Sequence, residues 1–449
     1  ATHCSPRLKR FYLEQKLTAK DKQPLVLYQI NILFGNSLAD MVKHGLCQIT
    51  NKGIIMKRAL IVSLAFAFSL LPCLVTATDI TALNPVQTLE IRPKNFKAPM
   101  RFNITLPQGY EQDKEKGYFV IFDIHPRSQP FLSGMHDWLS HNGEWPWLKS
   151  IVVTPTGYNP EFNTLFDGLV KTPENQAMLD LLEFDLLKAV DKKYRTNGFR
   201  IYNGFMSNGA LGLYTLLNRP RLFNAYIISS PTLTDNFANV TTEAESKLAK
   251  LDDKPRFLYL SIGNHGYEKA HIPSFTLFEK ALQKSAPKQL DWRVVRNTEN
   301  YYMSRPILGV LNGIEALFDD IHTDLAPDSD ISRQGVGAII RHYETLSRDK
   351  YGFEVSAEGS LKKLAKSMIA SAPEQALAIY QKTVNLYPES AYALYSLASA
   401  YAKQGNFNKA VSYQTQAVEK SKAMVSWHQN KHQEYLDKFK EELNKISGE

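Results

Sequence analysis

Cysteine is almost absent from this chain of 449 residues. Its three cysteines, Cys4, Cys47 and Cys73, all lie within the first 77 positions. Residues 78–449 therefore have no disulfide, no thiolate nucleophile and no cysteine-based metal site. They tolerate an oxidising compartment, although a lack of cysteine does not identify one.

The chain after residue 77 also lacks an excess of charge of either sign. The whole sequence has a formal net charge of +8, yet residues 78–449 contain 43 Lys and Arg against 42 Asp and Glu. Because the excess of basic residues lies within residues 1–77, we expect no nucleic-acid partner. The sequence has no Walker loop and no dinucleotide-binding glycine motif. The spacing of His125, His136 and His141 does not fit metal ligands, so we expect neither a metal nor a cofactor.

Only one long apolar run is present, over 59–71 within "MKRALIVSLAFAFSLLPCLVTAT". Basic residues precede it and small residues at Val75 and Ala77 follow, which is typical of a secretory signal peptide over 56–77. The run is shorter than the roughly 18–20 residues of a membrane span, so we expect no stable membrane anchor. These features predict a periplasmic or secreted protein. Since a signal acts near an N-terminus, we expect translation to start at Met56 and 1–55 to be a mis-called upstream segment.

Residues 78–318 alternate between short β-rich runs and helical stretches. This alternation predicts an α/β domain with a mainly parallel sheet covered by helices on both faces. The stretch "QTLEIRPKNFKAPMRFNITLP" (87–107) alternates apolar and polar residues and predicts an antiparallel hairpin at the sheet edge. The expected strands are 118–122, 151–154, 200–203, 225–229, 257–262 and 292–295, and the expected helices are 176–193, 208–217, 274–285 and 306–318.

The composition changes after Phe318. An acidic segment containing proline, 319–335, predicts a linker, and 336–449 then reads as helices only. Within 361–420, small and aromatic residues recur at the spacing of the 34-residue tetratricopeptide repeat, although a generic helical hairpin remains an alternative. A last amphipathic helix is expected to cap this array. The repeat residues include Ala376, Tyr380, Thr383, Pro388, Leu397 and Ala410, and the capping stripe is Leu436, Phe439, Leu443 and Ile446.

The stretch "IYNGFMSNGALGLY" (201–214) reads as a strand, a glycine-containing turn and an apolar helix. With its surroundings, 181–233, it resembles the esterase branch of the α/β-hydrolases, which includes siderophore esterases and S-formylglutathione hydrolases. The resemblance covers about 79–420, because some bacterial members carry tetratricopeptide-like helices after the hydrolase domain. It implies an α/β-hydrolase fold and, for a complete site, serine-dependent ester hydrolysis.

The nucleophile position of that family corresponds to Met206. Gly204 and Asn208 then lie two residues to either side, and the following residue, Ser207, lies where the family supplies an oxyanion-hole amide. A thioether cannot replace the serine. The alternative is that Ser207 acts as the nucleophile in a turn shifted by one, which would put the bulky Phe205 at a crowded flank. A third interpretation makes Ser207 a cap of the helix or a residue of the turn.

The other positions that the resemblance implies also depart from the pattern. His265 occupies the place of the acid, and Glu268 could replace that acid only if its loop rearranged. Tyr302 occupies the place of the histidine, and no histidine lies between 272 and 321. After the strand 118–122, the family's Asp-Gly is replaced by His125-Pro126. An active site in which His265 acts as the general base for Ser207 would need an unusual geometry.

We therefore predict an exported relative of esterases with a degenerate catalytic triad, acting as a binding or scaffolding protein. The alternative is an active serine carboxylic-ester hydrolase that uses Ser207, and the resemblance leaves enzyme activity undecided. Tyr301, Tyr302, Phe205 and Met206 either line a pocket or pack as ordinary core. We expect a small ester or acyl ligand in the cleft, and a peptide or protein partner on the helical domain.

Overall fold

The computed structural model describes residues 86–94, 96–141 and 143–448. The upstream segment 1–55 and the signal peptide 56–77 lie outside the described residues, so both stay predictions. The described residues belong to one compact unit. Within them, every helix is too short or too polar to cross a bilayer.

The described chain contains an eight-stranded sheet in the order β1-β2-β4-β3-β5-β6-β7-β8. The pairs β1–β2 and β2–β4 are antiparallel and the other neighbours are parallel. The predicted strands, the hairpin at one edge and the mainly parallel sheet are thereby confirmed. The strands are β1 Gln87–Ile91, β2 Met100–Thr105, β3 Tyr118–Asp123, β4 Ser150–Pro155, β5 Thr196–Phe205, β6 Ala225–Ser229, β7 Arg256–Ile262 and β8 Leu290–Arg296.

Helices cover both faces of the sheet, which explains why strands such as β3, β6 and β7 are buried along their whole length. One face packs against α2–α5 and α7, and the other against α1 and α8. The four predicted helices are confirmed, whereas α1, α2, α5 and the one-turn α6 were not predicted. The helices are α1 Ser128–Ser140, α2 Pro160–Lys171, α3 (the consecutive segments Ala177–Asp180, Leu181–Leu187 and Lys188–Lys193), α4 Ser207–Asn218, α5 Val240–Leu248, α6 Gly266–Lys269, α7 Ile272–Ser285 and α8 Arg305–Leu317.

The chain after α8 is helical, as predicted. Two short helices lie within the predicted linker, and the division at 319–335 stays a prediction. Tyr351, in the π-helical segment Leu346–Tyr351, packs its ring against Phe199 and Phe318, so one apolar core runs from the sheet into the helical region. The helices are α9 Asp319–His322, α10 Asp330–Arg333, α11 Val336–Thr345, α12 Glu358–Met368, α13 Pro373–Leu386, α14 Ala391–Lys403, α15 Phe407–Ser421 and α16 Ser426–Ser447.

Helices α12–α16 pack in sequence, each on the next. Buried alanines at Ala393, Ala398, Ala410 and Ala417 remove bulk where the helices approach. The tetratricopeptide assignment itself stays a prediction. On α16, Leu436 is buried while Ile446 is exposed, so the expected apolar stripe is covered at only one end.

Candidate functional site

A cleft of about 740 Å³ lies where the loops after β3, β4 and β5 meet the start of α8. The carboxyl ends of neighbouring parallel strands converge there, as in other open α/β sheets. Its lining is mainly apolar and includes Phe131, Phe162, Phe205, Met206, Met303 and Ile307. Among the described residues, no group of His, Cys, Asp and Glu side chains could hold a metal ion.

Met206 occupies the turn between β5 and α4. Its backbone lies at φ 56° and ψ −123°, a region that non-glycine residues rarely adopt. The turn is fixed on both sides, because Met206 donates its N–H to Ser229 O (3.2 Å) and accepts at its own carbonyl from Thr232 N–H (3.2 Å). A Cβ at Gly204 would lie 2.6 Å from Asn208 O, so only glycine fits there. The Met206 side chain, 40% exposed, lines the cleft.

Ser207 is the first residue of α4, one position earlier than the sequence predicted. Its half-buried side chain lines the cleft, and its hydroxyl has no hydrogen-bond partner among the described residues. Met206 is the N-cap residue, and the helix has no side-chain cap. The interpretation of Ser207 as a cap is therefore wrong, because the hydroxyl lies inside the helix rather than before it.

The residues at the three predicted triad positions lie close together. The rings of His265 and Tyr302 are stacked, with centroids 5.6 Å apart and planes at 24°. Phe205, which precedes Met206, also packs against Tyr302, with ring centroids 5.2 Å apart. Tyr267 completes the group, 5.4 Å from His265 and 5.5 Å from Tyr302. We call these four side chains the aromatic stack. Phe205, which the sequence placed either in a pocket or in the core, lines the cleft.

Tyr302 is half-buried, and the pKa of its phenol is raised above the ordinary value of 10.0 by burial and by the nearby Glu268 and Tyr267. The phenol is therefore protonated at neutral pH. His265 is exposed, and its backbone N–H donates to Glu268 Oε2 (2.9 Å).

Glu268 lies behind the aromatic stack and is only 1% exposed. Its carboxylate accepts from the Ser230 hydroxyl (2.5 Å) and from the Gly263 N–H (2.9 Å). The guanidinium of Arg305, 3% exposed, lies 3.4 Å from Oε1. The sequence analysis missed Arg305, because its only local signal was a position before Pro306 at the start of an apolar helix. Its partner comes from a loop far away in the chain.

The loop after β3 supplies the polar end of the cleft. His125 Nδ1 accepts the Arg127 N–H (3.2 Å), and burial together with the Arg127 charge lowers the pKa of His125 below 6.5. Behind the loop, Asp123 accepts from His125 N–H (2.8 Å) and from the Asn203 amide (2.6 Å). Burial raises the pKa of Asp123 from 3.8 to about 6.

No family model matches the chain, and no curated protein is similar to it at a significant level. Solved structures do match. An IroE-like serine hydrolase from Shewanella oneidensis is 23% identical over 67% of this chain and 98% of its own, with a TM-score of 0.52. An uncharacterised protein from Capnocytophaga ochracea is 17% identical over 79% of this chain and 99% of its own, with a TM-score of 0.55. Siderophore hydrolase EstA from Aspergillus nidulans is 14% identical over 53% of this chain and 95% of its own, with a TM-score of 0.43.

Proposed function

Because the chain has the α/β-hydrolase fold, we propose that it is a non-catalytic relative of serine esterases that binds a small acyl or ester-like ligand in its cleft. The observation that carries this proposal is the backbone of Met206. In α/β-hydrolases the strained residue between strand and helix presents the nucleophile. Here that residue is Met206, at φ 56°.

A methionine at this turn removes nucleophilic catalysis at its first step. A thioether has no proton for a base to remove, and the acyl-sulfonium that it would form is not a stable intermediate. The side chain instead adds apolar surface to the cleft. The turn therefore has the strained conformation that presents the nucleophile in hydrolases, but it lacks a nucleophilic hydroxyl at that residue.

Tyr302, which occupies the histidine position of the family, provides no general base. The raised pKa of Tyr302 keeps its phenol protonated at neutral pH, and protonated tyrosine is a poor base. The Glu268 carboxylate is enclosed by the Ser230 hydroxyl, backbone amides and Arg305. Among the described residues, no imidazole nitrogen donates a hydrogen bond to this carboxylate.

His125 lines the same cleft as Ser207, whereas His265 does not, so His125 is the candidate base within the cleft. Its Nδ1 accepts the Arg127 N–H, which places the proton of the neutral ring on Nε2. A triad histidine has the opposite tautomer, because Nδ1 donates to the acid and Nε2 accepts from serine. His125 is therefore arranged as a hydrogen-bond donor rather than as a base.

The second candidate function is ester hydrolysis by Ser207. One observation favours it: the Ser207 hydroxyl lines the cleft and has no partner among residues 86–448 that the structure describes. It would need a base, either His125 with its tautomer exchanged or His265 moved out of the aromatic stack. It would also need an oxyanion hole other than the amide of Ser207 itself.

Export to the periplasm or the medium, and a peptide or protein partner for the helical segment 336–449, are further parts of the proposal. The signal-like stretch 56–77 supports the first and the repeat-like spacing within 361–420 supports the second.

Turnover of p-nitrophenyl acetate and butyrate by the purified protein tests the main proposal. We expect the wild type to match the protein-free blank, and Ser207→Ala and Tyr302→Phe to match the wild type. Ser246→Ala, which removes an exposed hydroxyl from α5, is the matched control. Activity that persists in Ser246→Ala and disappears in Ser207→Ala would establish the second candidate instead.

A further inference from the structure

We propose that the cleft selects an apolar molecule that carries a carboxylate, and that the loop after β3 receives this carboxylate through Arg127 and His125. This inference rests on the proposed function and names the ligand class of the same site. It follows from the charge of the lining, the tautomer of His125 and the apolar character of the remaining wall.

The charge of the lining has one sign. Among the described residues that line the cleft, Arg127 is the only one with a formally charged side chain, and neither Asp nor Glu is present. Arg127 is exposed at the surface, its backbone N–H bonds to the His125 ring, and its charge contributes to the lowered pKa of His125. Its guanidinium has no ion-pair partner within the described part of the chain, and a guanidinium beside an apolar cavity favours an anion and disfavours a cation.

His125 adds a second donor at the same end of the cleft. Its lowered pKa keeps the ring neutral at pH 7, and the bond accepted at Nδ1 leaves the proton on Nε2. Arg127 and the Nε2–H of His125 together make a group of donors. A carboxylate accepts from both, whereas an ester offers weaker, uncharged acceptors.

The backbone adds positive potential. Four helices begin at the wall of the cleft, and Ser128, Asn159, Ser207 and Pro306 line it from the first turn or N-cap of α1, α2, α4 and α8. Each helix start carries a partial positive charge that favours an anion. These helix ends supplement the Arg127 and His125 pair and would not define a site alone.

The nearby carboxylates of Asp123 and Glu161 lie outside the lining of the cleft. Asp123 lies behind the loop, 3% exposed, where it accepts the His125 and Asn203 N–H groups rather than facing the cleft. Glu161, near the start of α2, accepts the Lys97 N–H. Neither lines the cavity, so neither presents a carboxylate to an incoming anion.

The rest of the cleft wall favours a ligand with a large apolar part. Phe131, Phe162, Phe205 and Ile307 line the cavity, and about 740 Å³ falls within the range of pockets that enclose small organic ligands. A small inorganic anion would leave this surface unburied. A ligand with a ring or alkyl chain at one end and a carboxylate at the other satisfies both parts of the wall.

Isothermal titration of the purified protein with three molecules that share one apolar body tests the inference: 4-phenylbutyrate, its methyl ester and 4-phenylbutylamine. We expect the carboxylate to bind about tenfold more tightly than the ester, and the amine to bind more weakly than either. In Arg127→Gln this preference should fall to about twofold or less, and in His125→Ala it should fall in part. Arg92→Gln, which changes an exposed arginine on the β1 side of the sheet, is the control.

Ile307→Trp, which fills the cavity, should abolish binding of all three molecules and thereby assign it to this cleft. Equal affinity for carboxylate and ester, unchanged in Arg127→Gln, would overturn the anionic inference while cleft binding stands. No binding of any of the three would overturn the inference and the binding function together. Release of 4-phenylbutyrate from the ester would overturn only the non-catalytic proposal. The affinity for 4-phenylbutyrate, compared between the wild type and Arg127→Gln, would still decide the inference.

Discussion

Arg305 Nε lies 3.4 Å from Glu268 Oε1, and both side chains are almost completely buried. The two residues join the loop after β7 to the start of α8, the segments that carry His265 and Tyr302. Gly263 leaves room for them, since a Cβ there would lie 2.0 Å from the Arg305 guanidinium. A buried ion pair thus links the two segments that carry His265 and Tyr302.

Removing one partner of this pair should destabilise the fold strongly. Glu268→Gln leaves Arg305 buried without a counter-charge, a change that costs about 3–5 kcal/mol in other proteins. We expect a loss of that size in the free energy of unfolding measured with urea. Glu441→Gln, which breaks an exposed pair with Lys445, should leave the unfolding curve unchanged.

Adding Arg305→Met to Glu268→Gln should recover part of the lost stability, because the unpaired charge is then absent. A Glu268→Gln variant as stable as the wild type would show that the pair does not join the two loops.

The strained turn should cost stability that glycine restores. Glycine adopts positive φ readily, so Met206→Gly should raise the free energy of unfolding by about 1 kcal/mol, while the partly exposed side chain takes little packing with it. Ser207→Gly, one residue into α4, should lower stability instead. Urea unfolding measures both changes in the free energy of unfolding. A Met206→Gly variant less stable than the wild type would show that the backbone at this turn is not strained.

The buried Asp123 predicts a dependence on pH. Burial raises its pKa from 3.8 to about 6, so between these values the folded state binds more protons than the unfolded state. The free energy of unfolding contributed by this group therefore falls as pH rises through that window. Compared with Asp123→Asn, the wild type should lose roughly 2–3 kcal/mol between about pH 3.5 and pH 7. Parallel stability profiles for the two proteins would contradict the raised pKa.

Much of the fold could be predicted from the sequence because its signals are local. Apolar strand runs such as "YFVIFD" (118–123) are buried on both faces, and the alternating hairpin at 87–105 lies at the edge. Helices α1, α2 and α5 escaped prediction, since their apolar faces are interrupted by polar and small residues. α1 buries Ser128, Ser133, His136 and Ser140 beside a single leucine.

Only part of the candidate site could be predicted from the sequence. The turn at Met206 follows from glycine at 204 and an apolar helix behind it, which are adjacent in sequence. The Arg305–Glu268 pair and the aromatic stack depend on loops that the sheet brings together. Their residues are far apart in the sequence, so no local spacing predicts these contacts. The start of α4 differed by one residue, which was enough to move Ser207 from a cap position into the helix.

The most direct test of the non-catalytic account is the reaction of the purified protein with a fluorophosphonate, which forms a covalent adduct with an activated serine hydroxyl. Intact-mass spectrometry followed by peptide mapping gives the result, with an active serine hydrolase labelled in parallel. The account predicts an unchanged mass under conditions that label the active enzyme fully. An adduct on Ser207, absent from Ser207→Ala, would contradict it and show that the hydroxyl beside Met206 is activated.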